Sequence, residues 1–219
     1  MLYPSFKKLQ SYMMQIHLAL SIKPKTILEI GIGSGFVSSI LQNYCDVITA
    51  DINVKNKPDV VIDITEINNF SKFDDNSFDL IIICEVLEHV PYYIIDDILR
   101  ELKRITKKYV LISIPNQKNF INLTLFKYGY ERALFKPLLF LVNSFSKLLN
   151  SIGKTLSNIH FKIKKRKLSF IYNGQHYWEL GINGYTEKNI ETLFQKYFII
   201  KRKGRLRENL YHHFYLMRK

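Results

Sequence analysis

The sequence predicts an α/β fold built on a mostly parallel sheet, and three observations carry that expectation. Short β-rich apolar runs recur through the first half of the chain, segments with helical spacing alternate with them, and two more strand-like runs follow near the C-terminus. Phe6, Leu9, Met13, Ile16 and Leu20 recur at steps of three and four, which predicts a lead-in amphipathic helix after Pro4 that stops near Pro24. The runs Thr26 to Ile32, Asp46 to Ile52, Val60 to Ile64, Phe78 to Val86 and Tyr109 to Ile114 have the continuous apolarity of strands covered on both faces. Between them, Gly35 to Asn43 and Ile94 to Ile105 show helical spacing, whereas Asp51 to Val60 is too short and too rich in Asn, Lys and Pro58 for a crossover helix and reads as a loop. After Pro115 the alternation stops and a basic, apolar insertion begins. Thr186 to Phe198 then reads as a helix with Thr186 at its N-cap. Phe198 to Arg205 and Leu210 to Arg218, either side of Arg207-Glu208-Asn209, read as an antiparallel pair that completes a seven-stranded sheet.

At 219 residues the chain suits a single domain, 1–219, with the segment 119–185 as an insertion or lid within it. With 47% apolar and 14% aromatic residues and only 9 Gly and 6 Pro, it is neither disordered nor collagen-like. Cys45 and Cys84 are too few for a disulfide framework, and Cys84 sits in an apolar run as a buried thiol would, which fits a cytoplasmic protein. Gln10, Ser11, Gln15 and His17 interrupt what would be a signal-peptide core, and no run approaches the roughly 20 apolar residues that span a bilayer. The net charge of +13 is unevenly spread. Residues 1–118 hold 13 Lys and Arg against 14 Asp and Glu, and residues 119–219 hold 19 against 5, so a near-neutral scaffold carries a basic attachment.

The most informative segment is Ile27-Leu28-Glu29-Ile30-Gly31-Ile32-Gly33-Ser34-Gly35, a buried strand running into three alternating glycines and then a helix. Glycines there let the backbone turn sharply and approach a ligand, which points to a nucleotide site. The dinucleotide fingerprint G-x-G-x-x-G needs glycine where this chain has Phe36, and NAD is disfavoured. Acidic residues recur at strand ends: Glu29, Asp51, Asp63 and Glu85. In a parallel sheet these ends face one crevice, where four carboxylates suit hydroxyls, an amine and a positive centre and repel a pyrophosphate. The acidic pair Asp74 and Asp75 reads as a solvated turn.

In order and spacing, the E-x-G-x-G-x-G segment at Glu29 to Gly35, the acid in Thr49-Ala50-Asp51-Ile52, the Asp63-Ile64 pair and the Phe73 to Asp79 lead-in to Glu85-Val86-Leu87-Glu88-His89-Val90 resemble the class I S-adenosylmethionine (SAM) dependent methyltransferases over about residues 25–118. The resemblance implies a Rossmann-like sheet and SAM as cofactor. It implies that Gly31, Gly33 and Gly35 pass under the methionine part, that Asp51 with Ile52 holds the ribose, that Asp63 and Ile64 border the adenine, and that Glu85 lies near the sulfonium. Glu85, Glu88 and His89 form an E-x-x-E-H cluster with two readings. Similar enzymes of the ubiquinone pathway and of small-RNA 3′ ribose capping use a metal there, and many other members carry the motif without one; the expectation adopted is no metal, with His89 as a hydrogen-bonding group or general base. His176, in Gly174-Gln175-His176-Tyr177-Trp178-Glu179, falls where related enzymes place a histidine over the acceptor, and is the second candidate catalytic residue. Trp178 reads equally as packing or as a substrate wall.

In the insertion, Leu134, Leu138, Leu141, Phe145, Leu148, Ile152, Leu156 and Ile159 share one helical face opposite Lys136, Lys147 and Lys154, before the basic run Lys162 to Lys167. This reads as a lid over the sheet domain or a peripheral membrane contact through 134–167. The combined expectation is a SAM-dependent methyltransferase acting at oxygen on a small or lipid-like acceptor. The alternatives are an RNA methyltransferase that uses its basic half and a membrane-surface module without turnover.

Overall fold

Alternation along the strands decides where the core sits. The computed structural model describes residues 4–117, 175–182, 184–205 and 211–219. The expected insertion helix, the basic run Lys162 to Lys167, Asn183 and the turn at Arg207-Glu208-Asn209 lie outside the described residues. Seven strands form one sheet: β1 (Thr26–Ile30), β2 (Asp46–Asp51), β3 (Val60–Val61), β4 (Phe78–Cys84), β5 (Thr106–Pro115), β6 (Ile199–Arg205) and β7 (His212–Arg218). Their order is β3-β2-β1-β4-β5-β7-β6, with β1 to β5 parallel and β7 antiparallel to both β5 and β6. Among the described residues four α-helices accompany them: α1 (Phe6–Leu20), α2 (Phe36–Leu41), α3 (Ile95–Ile105) and α4 (Glu187–Gln195).

Because successive strand residues point to opposite faces, each strand feeds two cores. Ile27, Leu80, Ile82, Leu111, Phe214 and Leu216 pack with Tyr12, Ile16 and Ala19 of α1 and with Val37 and Leu41 of α2. Their neighbours Leu28, Ile81, Ile83, Val110, Ile112, Tyr215 and Met217 pack with Ile98, Leu99 and Leu102 of α3 and with Ile190 and Phe194 of α4. Helix ends carry the chemistry their backbone requires. Ser5 accepts from Lys8 N at 3.3 Å and Thr186 from Asn189 N at 3.2 Å, each satisfying a first-turn amide. Asp96 and Asp97 open α3, and Lys103 and Arg104 close it, complementing its dipole.

Every strand departs from its expected bounds by a residue or more, and two depart most, by three residues at one end. The third run holds only Val60 and Val61 in the sheet; Asp63 Oδ1 then accepts from Thr65 N (2.8 Å) and Thr65 Oγ1 (2.7 Å), turning the chain out of register. β5 starts three residues early, since buried Thr106 pairs with Phe78 although Lys107 and Lys108 are exposed, a polar start that an apolar-run criterion misses. The Asp51 to Val60 link is the expected loop, with one 3-10 turn at Val54–Asn56. Cys84 is buried as a free thiol. Asp75 ion-pairs with Arg104 at an exposed turn, as the reading of the Asp74-Asp75 pair anticipates. The strand order reverses between β1 and β4, which opens a crevice beyond their C-terminal ends.

Candidate functional site

Gly31 follows directly on β1 and Glu85 directly on β4, so the crevice has one at each side of the switch point. Gly31 has φ +81°, its N–H donates to Ala50 O at 2.8 Å, and a Cβ there would collide with the Val86 side chain. Only glycine satisfies both the left-handed backbone and that close approach. At Gly33, by contrast, a Cβ would meet nothing within 4 Å, so this part of the loop faces open space. Asp51, at the end of β2, fastens the loop: its Oδ2 accepts from Gly33 N (3.4 Å) and Asn56 Nδ2 (3.0 Å), and its Oδ1 from Asn53 N (2.8 Å).

A cavity of about 370 Å³ lies here, lined by Gly31, Gly33, Asp51, Ile52, Asp63, Ile64, Glu85 and His89 among others. The volume falls in the range of small-molecule sites. Ile52 is 64% exposed and Ile64 is buried, so the end lined by β2 and the β3 exit is apolar beside Asp63. Glu29 and Gly35 do not line the cavity. Glu29 is buried within β1, and burial pushes its carboxyl up to about 7; hydrogen bonding from Ser38 partly opposes this and the nearby Asp51 charge adds to it. Gly35, at φ +72°, is the N-cap of α2.

Glu85 adopts φ +57°, a left-handed conformation uncommon for a non-glycine residue. The surroundings hold it there: Glu85 N donates to Ser113 O at 3.1 Å, Ser11 Oγ of α1 donates to Glu85 Oε1 at 2.7 Å, and His212 Nδ1 of β7 lies 3.3 Å from the same oxygen. Burial keeps His212 below the ordinary histidine range, against the pull of Glu85. Strain kept in place by several independent contacts concentrates at functional sites.

Beyond Glu85, carboxylates and imidazoles gather. His89 lines the cavity, and its Nδ1 lies 2.7 Å from Gln175 O. The His176 ring meets it edge-on at a centroid distance of 4.7 Å, and His176 Nδ1 lies 2.6 Å from Glu179 Oε1. Glu88 is 1% exposed; burial, with Glu85 and Glu179 nearby, holds its carboxyl well above the usual range. Tyr211 is pushed up to about 12 by burial and by the Glu179, Glu88 and Glu85 charges, and stays a phenol. Glu88, His89 and His176 each offer one ligand atom, all within 4.8 Å of one another, so among the described residues this is where a cation could be held. Glu85 is not a member of that set, unlike the grouping the E-x-x-E-H spacing proposes. Trp178 is fully buried and its Nε1 donates to Val90 O at 3.2 Å, which makes it packing rather than a substrate wall.

The structure therefore brings Gly31, Gly33, Asp51, Ile52, Asp63, Ile64, Glu85 and His89 around one cavity and sets His176 against His89. Ser11, Glu179 and His212 belong to the same neighbourhood and were not expected. Glu179 had a visible signal, an acid three residues after a singled-out histidine; Ser11 and His212 had none.

Residues 6–197 match the family profile described as "Methyltransferase domain". Similar solved structures include the N-methyltransferase NodS from Bradyrhizobium japonicum WM9, with TM-score 0.57, 11% identity and coverage of 100% of this chain and 99% of that one. Magnesium protoporphyrin IX methyltransferase (ChlM) from Synechocystis PCC 6803 with bound SAH is similar at TM-score 0.56 and 14% identity, covering 97% of this chain and 84% of that one. A 1,6-didemethyltoxoflavin-N1-methyltransferase from Burkholderia thailandensis, with its acceptor and S-adenosylhomocysteine bound, gives TM-score 0.56 and 14% identity over 96% of this chain and 77% of that one. At such identities the likeness is one of fold. No curated protein matches the chain in sequence.

Proposed function

The chain belongs to the methyltransferase-domain family, as a class I SAM-dependent methyltransferase, and on that premise we propose that it methylates an oxygen of a small or amphipathic acceptor. The observation that carries the reading is the cavity at the switch point, lined by Gly31, Gly33 and the carboxylates of Asp51, Asp63 and Glu85. When bound, SAM supplies a methyl group on a positively charged sulfur. The residues fit it: Gly31 lets the loop close on Val86, the loop at Gly33 faces open space, and three carboxylates suit hydroxyl donors, an amine and a cation.

In this reading Gly31 and Gly33 shape the floor under the methionine part, and Gly35 turns the chain from that floor into α2. Asp51, whose Oδ1 accepts one bond among the described residues, takes a ribose hydroxyl, with Ile52 beside it. Asp63 and Ile64 border the adenine, Glu29 supports the loop from beneath, and Glu85 faces the sulfonium. Transfer is a direct displacement, and the protein contributes alignment and exclusion of water more than a covalent partner. His89 and His176 stand on the acceptor side as hydrogen-bonding or proton-accepting groups. The segment 119–185 selects the acceptor, with 134–167 as a lid or a contact with a membrane surface, and the protein works in the cytoplasm as a single domain. Among the described residues no helix is long and apolar enough to cross a membrane.

Calorimetric titration with S-adenosylhomocysteine tests the cofactor site. Wild type binds, and Gly33→Asp, which adds a carboxylate and a left-handed strain at φ +53°, loses at least about 100-fold in affinity, or about 2.7 kcal/mol. No binding by the wild type, or no effect of Gly33→Asp, refutes the reading.

A further inference from the structure

Helix α1 precedes the sheet in the chain, yet its side chains reach both lips of the crevice. The Tyr12 ring stacks on Phe36 at a centroid distance of 5.4 Å, and Tyr12 Oη lies 3.4 Å from Ser34 Oγ in the glycine loop. One residue earlier, Ser11 reaches the other lip, where its Oγ donates to Glu85 Oε1 at 2.7 Å. Ser11 is fully buried, and Gln15 Nε2, one turn further along α1, donates to its Oγ at 3.5 Å. An amide nitrogen only donates, so the serine hydrogen is left for the carboxylate. His212 Nδ1 lies 3.3 Å from the same Oε1, and the Glu85 backbone stands at φ +57°. With Oε1 approached from two directions, Oε2 is the oxygen left to a ligand. Among the described residues no hydrogen bond reaches it, and the Glu85 side chain, 23% exposed, lines the cavity.

We propose that Ser11 is a positioning residue that acts through Glu85 and raises the affinity of the cavity for the charged methyl donor relative to its product, whose sulfur is neutral. The proposal rests on the reading of a SAM site and does not depend on which acceptor atom is methylated. SAM and S-adenosylhomocysteine share the adenosine, the ammonium and the carboxylate, and differ by a methyl group and one positive charge on sulfur. A carboxylate tells them apart only when it is held close to that charge, because the attraction falls with distance and with the water let in between. A glutamate in an open cavity has several staggered rotamers. The Ser11 hydroxyl selects one, since it is carried on a 15-residue helix packed through Tyr12, Ile16 and Ala19. Without that hydroxyl the carboxylate keeps its charge but turns away or takes up water, so recognition of the sulfonium weakens while the contacts shared by donor and product stay.

Calorimetric titration of the full chain with SAM and with S-adenosylhomocysteine, without acceptor, tests it. Ser11→Ala is expected to lower the affinity for SAM about 10-fold and to leave that for S-adenosylhomocysteine within about twofold. Glu85→Gln should do the same, and adding Ser11→Ala to Glu85→Gln should change SAM binding by less than about twofold, because the serine then has no carboxylate to place. A merely structural role for Ser11 lowers both affinities alike. That result, an unchanged SAM affinity in Ser11→Ala, or full additivity of the two substitutions overturns the proposal. Ser11→Cys, close in volume and a weak donor, is read by the same criteria, and it decides alone where circular dichroism shows that Ser11→Ala does not fold. If the wild type binds neither ligand, the reading of a SAM site and the proposal fall together; if it binds both and Ser11→Ala leaves their ratio as it was, the proposal falls alone.

Discussion

The two sides of the crevice are built differently. On the side proposed for the cofactor, Gly31, Gly33, Asp51 and Asp63 lie at or within a few residues of a strand end, and most of their contacts are to neighbours in the same loops. On the side proposed for the acceptor, His89 is held by the backbone of Gln175, and between the two sides Glu85 is held by Ser11 and His212, partners from distant parts of the chain. One side is short-range backbone geometry, and the other is assembled by tertiary contacts. Substitutions should therefore separate them, with the acceptor side depending on packing and the cofactor side on loop conformation.

The largest expected effect is on the packing that carries the acceptor side. Trp178 is fully buried, meets Tyr92 edge-on at 5.2 Å and closes on Val90 O, so Trp178→Ala should cost about 3–5 kcal/mol in denaturant unfolding. A loss below about 1 kcal/mol would mean that the segment 175–182 is not held as described. Next comes the pH dependence of the cofactor side. Burial pushes the Glu29 carboxyl up to about 7 from its ordinary value of 4.5, so the folded state binds the proton more tightly than the unfolded one. The stability this gives is fully present below about pH 4.5 and is lost as pH rises through 7, by on the order of 3 kcal/mol. Comparing unfolding at pH 5 and pH 8 checks the sign: Glu29→Gln should flatten the fall seen in the wild type. The smallest effects give the sharpest contrast. Asp51→Asn should weaken S-adenosylhomocysteine binding about 10-fold, or about 1.4 kcal/mol, by weakening the anionic hold on a hydroxyl. His89→Ala should leave that affinity within about twofold, and if both variants lose equally the two sides are one coupled unit.

The same contrast explains what could be read in advance. The glycine loop and the strand-end acids were legible because a parallel sheet sends the ends of its strands to one edge, so spacing along the chain becomes proximity in space. Helix α1, the cap at Thr186 and the antiparallel closing pair were legible from period and capping chemistry. The shortness of β3 was not, because the Asp63 turn onto Thr65 competes with sheet pairing, and apolarity alone does not record that competition. The metal-capable grouping shifted as well. Consecutive letters suggested Glu85, Glu88 and His89, but Glu85 turns through a left-handed backbone toward Ser11 and His212, and His176 takes the third position.

By itself the sequence determined the α/β class and the meeting of the glycine loop with acids at the strand ends, since each depends on short-range backbone preference or on strand ends that a parallel sheet must bring together. Only the tertiary structure decided the orientation of Glu85, the burial of Trp178 and Glu88, and the pairing of His176 with Glu179. Those depend on which side chains from distant segments share one desolvated space, and there burial and neighbouring charge set the chemistry of a carboxylate or an imidazole, whatever its position along the chain.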